Sequence, residues 1–265
     1  MIPSRTGLGC WRTHLQCPEE SVVKVEKEGL SAKQVGSVNV NPVTAYRLLT
    51  DFADLKRFSR AWYIQNGANS GVGRIVSQLG KLWGLRGIAV VRAREDKEAE
   101  KNLKKEMLDL GAEKCVTDTE MQDKSFKDVV AEWTNGGKEP VQLGLNCVGG
   151  EGALAIAKIL GKGASLVTYG AMARSPLKVP ASMLIFKDLR LRGFWVSAWG
   201  DQHPEEKKKT VQEILGLCRE GKLEDSPSVD VEWKWDTPEE TLVDAVQGTL
   251  EGYRKGKGMF VFKET

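Results

Sequence analysis

Residues 61–94, AWYIQNGANSGVGRIVSQLGKLWGLRGIAVVRAR, switch hydrophobic period twice within one short stretch, and few chain paths satisfy both periods. Residues 61–64 are an apolar, β-forming run that stops at Gln65-Asn66-Gly67. Beyond it Val72, Ile75, Val76, Leu79, Leu82 and Trp83 recur at helical spacing, so one face of a helix is expected to pack on a sheet. Gly84 and Gly87 mark the exit. Residues 88–91 then form an unbroken apolar run, as parallel strands buried on both faces require. The predicted unit is β-α-β.

In such a unit, glycines permit a tight turn, a close approach of backbone to a pyrophosphate, and close packing of helix on strand. The helix N-terminus adds free N–H groups and a partial positive charge. Here the G-x-G-x-x-G frame holds Ala68, Ser70 and Gly73 with Gly71 inside it, so small residues replace two of the three glycines. The end of the second strand discriminates better. An acidic residue about 20 positions after the glycines ordinarily accepts the ribose 2′-hydroxyl of NAD. Nineteen residues past Gly73 stands Arg92, followed by Arg94. A carboxylate there would repel a 2′-phosphate, whereas guanidinium groups can hold one bidentately. These residues point to NADPH. The same stretch taken alone also fits an ordinary β-α-β unit with solvent-facing arginines; motif and arginines together favour the nucleotide site.

The chain has 265 residues, enough for one large or two medium domains, and its 41% hydrophobic and 28% charged content is that of a soluble globular protein. No apolar run approaches the ~20 residues of a membrane span, and residue 1 onward shows neither a secretory h-region nor an Arg/Ser-rich transit helix. No membrane role and no targeting peptide are expected. A net charge of +3 with interspersed signs gives little support to nucleic-acid binding, and the run Lys207 to Lys209 after Glu205 and Glu206 reads as a solvated helix face. The five cysteines, Cys10, Cys17, Cys115, Cys147 and Cys218, form no C-x-x-C pair, and the two histidines are His14 and His203. No metal site is expected, and the scattered odd set suits a reducing compartment with Cys147 and Cys218 as small buried side chains.

Further along, residues 95–110 read as an exposed helix with Leu103, Met107 and Leu110 on its apolar edge. Residues 141–148 read as a strand ended by Gly149-Gly150, and 153–160 as a short helix before a Gly161-Lys162-Gly163 turn. Residues 164–169 are the next strand. The fold class expected is α/β, a doubly wound parallel sheet. Ligands bind beyond the carboxyl ends of such strands, which brings Gly149-Gly150, Tyr169 to Met172 and Phe194 to Val196 toward the cofactor. The flanks, 7–40 and 229–262, read instead as turn-rich β segments around a helix at 238–253, and 204–218 as a bridging helix.

Taken as blocks, GLGCWRTH at 7–14, VNPVTAYRLLTDF at 40–52, QNGANSGVG at 65–73, VVRAR at 90–94, LNCVGG at 145–150, VTYGAM at 167–172 and FKDLRLRGFW at 186–195 resemble the mitochondrial NADPH-dependent 2-enoyl thioester reductases. These form a zinc-free branch of the medium-chain dehydrogenase/reductase superfamily. The resemblance implies a Rossmann domain at 44–221 and a partial GroES-like catalytic domain from 1–43 and 222–265. It implies reduction of a trans-2-enoyl thioester, on acyl carrier protein or coenzyme A, in mitochondrial fatty-acid synthesis in the matrix, by a homodimer. Hydride would pass to the β-carbon and a tyrosine would protonate the α-carbon.

Carried over by motif, Asn41 is implied at the nicotinamide end and Asn69, Ser70, Gly71 and Val72 along the pyrophosphate. Arg92 and Arg94 are implied at the 2′-phosphate. Tyr169, Gly170, Ala171 and Met172, with Phe194, Trp195 and Val196, are implied along nicotinamide and ribose. Lys257 falls on a family cofactor lysine, although its glycine-rich surroundings alone suggest a surface charge. Relatives carry a block ahead of the segment matching Met1-Ile2-Pro3 that holds the proton-donor tyrosine and the leader, so a shortened form or incomplete gene model is expected. Tyr46, Tyr63, Tyr169 and Tyr253 lie in other motifs, and no catalytic residue is assigned. A catalytically silent NADPH-binding protein is the alternative; a quinone reductase of the same superfamily is disfavoured by VNPVTAYR and FKDLRLRGFW.

Overall fold

The computed structural model describes residues 1–4, 7–9, 14–55, 60–250 and 256–262, with the side chains at 249, 250 and 257 outside that description. Its centre is a six-stranded, wholly parallel sheet of order β5-β4-β3-β6-β7-β8. The chain reaches it through β1 (Ile2–Pro3), β2 (Val22–Val23), α1 (Ala32–Ser37) and α2 (Asn41–Thr50). It then runs β3 (Trp62–Gln65), α3 (Gly71–Leu82), β4 (Arg86–Val91), α4 (Lys97–Asp109), β5 (Lys114–Thr117), α5 (Asp118–Gln122) and α6 (Phe126–Trp133). The second half continues β6 (Val141–Asn146), α7 (Gly150–Ile159), β7 (Leu160–Thr168), α8 (Ala181–Lys187) and β8 (Arg190–Gly193). After α9 (Val196–Gln202) and α10 (Pro204–Arg219) come β9 (Ser228–Trp233), α11 (Glu239–Leu250) and β10 (Lys257–Phe262), the two strands pairing parallel to each other.

Successive strand residues point to opposite faces, and both faces of this sheet are covered. Tyr63, Leu143, Leu145 and Val167 join one apolar cluster with Leu48 of α2, Leu79 of α3 and Ile214 of α10. Trp62, Ile64, Ile88, Val90 and Leu166 join another with Val130 of α6 and Ile156 of α7. Each fully buried side chain of this size stabilises the fold by about 1.5–3 kcal/mol relative to exposure. Strand order reverses between β3 and β6, which opens a crevice at their carboxyl ends.

Several local expectations are corrected. The Gly161-Lys162-Gly163 segment lies inside β7 rather than forming a turn: Val141 pairs with Leu160 but Leu143 with Ser165, and the bulge between them takes up the extra residues with Gly163 at φ +73°. Helix α7 begins at Gly150, three residues earlier than expected, so Gly149 is its N-cap. Among its described residues the N-terminal flank is not a run of β segments; the strands there, β1 and β2, have two residues each, and a capping box of Ser31 and Gln34 starts α1 instead. Residues 41–50, given no secondary structure from sequence, form α2 with proline in its first turn. Helix α11 is described to Leu250, and the expected last residues 251–253 lie outside the described residues. No described helix is long and apolar enough to cross a membrane.

Candidate functional site

The crevice at the strand reversal is a cleft of about 1200 Å³. Its floor is the turn between β3 and α3. Ala68 N donates to Val90 O at 3.1 Å, which seats the turn on β4. Ser70, extended at ψ 167°, caps α3 by accepting from Gly73 N at 3.1 Å. The first turn of α3 carries no acidic side chain, so the partial positive charge of its N-terminus stays uncompensated. A Cβ at Gly73 would stand 2.5 Å from Ala68 O, and one at Gly71 would stand 2.5 Å from Asn41 Nδ2. The backbone contact leaves no room for a side chain at Gly73, whereas at Gly71 the obstacle is the end of the Asn41 side chain.

At the end of β4 the exposed Arg92 and Arg94 also line the cleft, and among the described residues neither guanidinium has an ion-pair partner. Three of the nearby carboxylates are engaged with backbone. Asp118 accepts from Ala93 N and Glu100 from Arg94 N, both at 2.8 Å, and Asp96 caps α4. Two free cations and an open helix N-terminus on one cleft make a site for an anion with two separated phosphate groups.

Residues 71–215 match the zinc-binding dehydrogenase family. The mitochondrial enoyl-[acyl-carrier-protein] reductase of Schizosaccharomyces pombe is 41% identical over 256 residues, covering 96% of this chain and 67% of that protein. The chain belongs to the enoyl-acyl-carrier-protein reductase family. The enzyme of that name from Yarrowia lipolytica is 44% identical over 223 residues, covering 84% of this chain but 56% of its own length. The chain thus spans little more than half of that relative. A solved complex of Etr1p with NADP and crotonyl-CoA superposes with a TM-score of 0.89 at 30% identity, covering 98% of this chain and 72% of that one.

Of the residues that the reductase resemblance implies, Asn41, Asn69, Ser70, Gly71, Arg92, Arg94 and Met172 line the cleft together. Val72 packs into the core beneath the turn, and Phe194 and Val196 pack against the same core. Gly170 and Ala171 belong to the loop after β7, whose Met172 N donates to Cys147 O at 2.9 Å, while Trp195 is 71% exposed. Lys257 opens β10 between the cleft-lining Gly256 and Gly258, and its side chain lies outside the described residues. Burial pushes the Tyr169 phenol well above its ordinary pKa, with the Cys147 thiol adding to the rise and Ser70 opposing it. Tyr46, Tyr63 and Tyr169 are absent from the cleft lining, and Tyr253 lies outside the described residues. Among the described residues no three His, Cys, Asp or Glu side chains gather as a metal site.

Sequence reasoning passed over the asparagines that hold the cleft in shape. Asn66 Nδ2 donates to Asn146 Oδ1 at 2.8 Å, Asn66 Oδ1 accepts from Cys147 N at 2.8 Å, and Asn146 Nδ2 donates to Thr168 Oγ1 at 3.1 Å. Asn146 Oδ1 also accepts from Val148 N at 3.3 Å and Gly149 N at 3.0 Å. One buried network therefore joins the carboxyl ends of β3, β6 and β7. An asparagine ending each of two apolar runs at the glycine end of the sheet was the available signal.

Proposed function

We propose that this protein binds NADPH and reduces the 2,3-double bond of trans-2-enoyl thioesters, on acyl carrier protein or coenzyme A, in fatty-acid synthesis of the mitochondrial matrix. The observation that carries the reading is that two guanidiniums without an ion-pair partner among the described residues, Arg92 and Arg94, line the same cleft as the open N-terminus of α3. The names of the relatives and the NADP and crotonyl-CoA complex of Etr1p support it.

When bound, NADPH supplies the hydride for the β-carbon. The backbone at Ser70 and Gly71 and the helix behind it would hold the pyrophosphate, since glycine leaves room for close approach. Arg92 and Arg94 would hold the 2′-phosphate, and Asn41, packed against Gly71, would mark the nicotinamide end. Of the segments Tyr169 to Met172 and Phe194 to Val196, the first reaches the cleft at Met172, which would lie along the ribose and nicotinamide while the others back it, and Lys257 would add a cation. Charge arriving at the β-carbon collects on the thioester oxygen as an enolate, which positioned donors stabilise. Protonation at the α-carbon is assigned to none of these residues.

The tyrosine positions favour a second reading, an NADPH-binding protein without turnover, since Tyr46, Tyr63 and Tyr169 are all outside the cleft lining. Two measurements on the 265-residue chain separate the readings. NADPH should bind far more tightly than NADH, and R92A/R94A should lose that preference; equal affinity of the unaltered chain for both would sink the phosphate assignment. Turnover of crotonyl-CoA with NADPH near that of a longer relative would exclude the silent protein, and binding without turnover would exclude the reductase.

We further propose a homodimer joined through the nucleotide-binding domains. Ile185 is 71% and Phe186 76% exposed on α8, shortly before the edge strand β8, where Leu191 is 40% exposed. An open parallel edge beside an apolar patch invites a second copy.

A further inference from the structure

The loop after β4 raises a question of aim that the arginines alone do not answer. Arg92, Ala93 and Arg94 all line the cleft, yet this loop has left the β4–β5 ladder, whose last pair is Val91 with Thr117. Backbone N–H groups just beyond a ladder need other acceptors. Here both come from side chains of separate helices. Asp118, the first residue of α5, accepts from Ala93 N at 2.8 Å and from its neighbour Thr119 N at 3.0 Å. Glu100, one turn into α4, reaches back to Arg94 N at 2.8 Å, and its side chain is only 12% exposed. The Arg94 N–H holds the Glu100 carboxyl below its usual pKa, so the acceptor is ionised at neutral pH.

We propose that Glu100 and Asp118 are positioning residues that fix the Arg92–Arg94 backbone from two sides, aim both guanidiniums into the cleft, and thereby set the preference for NADPH over NADH. The proposal rests on the NADPH reading above. Two carboxylates beside a phosphate site look self-defeating, because each would repel a dianion and could neutralise an arginine. Their engagement with main-chain donors resolves this: each carboxylate points its oxygen at an N–H, and neither forms an ion pair with Arg92 or Arg94 among the described residues. A charged acceptor makes the stronger bond to an amide, and so gives the firmer hold.

The test compares alanine with amide replacements in the full chain, with dissociation constants for NADPH and NADH and a thermal melt for each variant. Glu100→Ala and Asp118→Ala remove the acceptors, and each should weaken NADPH about fivefold while NADH stays within about twofold of the parent. Glu100→Gln and Asp118→Asn keep an acceptor but discard the charge, and should lose clearly less than the alanine variants, binding NADPH within about twofold of the parent. A helix-capping role without aim would lower the melting temperature and both affinities together, and that result overturns the proposal. So does unchanged NADPH binding in both alanine variants, or an equal loss in the amide variants. If R92A/R94A abolishes the preference while E100A and D118A keep it, the positioning role fails and the NADPH site stands. Equal affinity of the unaltered chain for the two nucleotides removes both.

Discussion

Asn146 Oδ1 takes donors from Asn66, Val148 and Gly149, so Asn146→Ala strands three N–H groups near the end of β6. The expected cost is about 2–3 kcal/mol, a fall of roughly 5–10 °C in the thermal midpoint, with NADPH binding weakened as the loop after β6 relaxes. A variant that melts with the parent would show the network to be dispensable. Tyr46 offers a pH test. Burial, and then its hydrogen bond to Glu213, push its phenol pKa up from 10.0 to about 12, while Arg47 opposes and Asp51 adds. A raised pKa means that the fold favours the neutral phenol. Its contribution is therefore intact below pH 10 and is lost as pH climbs from 10 to 12. Tyr46→Phe should flatten the decline of the melting temperature above pH 10 relative to the parent; an unchanged slope would assign that decline to other groups. At this scale the arginines were legible because charge at a fixed distance from a glycine turn has one chemical meaning. The asparagines were not, because a buried amide reads like any turn residue until its partners, about 80 positions away, are known.

Helix α3 was legible as an element, since Ile75, Val76 and Leu79 recur on one face and all three are buried. Its seating was legible only in part. Gly73 is the position where a side chain has no room, because the contact is backbone, Ala68 O at 2.5 Å from a Cβ. Gly73→Ala should cost about 1–3 kcal/mol and displace the start of α3 from the turn, with NADPH binding weakened in proportion. Unimpaired binding in a titration would show that the turn can yield. Helix α2 escaped sequence reading although Pro42 stands in its first turn, because its buried face, Val43, Ala45, Leu48 and Leu49, is short and interrupted by Thr44, Tyr46 and Arg47. The Gly161 to Gly163 segment misled in the opposite sense. Two glycines within three residues usually signal a turn, but a bulge in a strand uses the same conformational freedom.

For the whole molecule, the exposed apolar residues of α8 and the open edge of β8 predict self-association. Ile185→Glu with Phe186→Glu should convert a dimer in sedimentation velocity to a monomer whose thermal midpoint no longer rises with protein concentration, because both side chains are in solvent in one copy and only the partner covers them. A parent that sediments as a monomer would dispose of the dimer. The parallel α/β architecture, the glycine turn, the basic end of β4 and the family could all be read from residue order, because hydrophobic period and motif spacing are local properties of the chain. The approach of Asn41 in α2 to the glycine turn, the asparagine bridge across three strands, and the carboxylates that accept from Ala93 N and Arg94 N came only with the folded molecule. Asn41 meets Gly71, Asn66 meets Asn146 and Asp118 meets Ala93 across long stretches of sequence, and even Glu100 and Arg94, six positions apart, meet only because the start of α4 turns back on the loop; the geometry of the contact, rather than the identity of either partner, decides what these residues do.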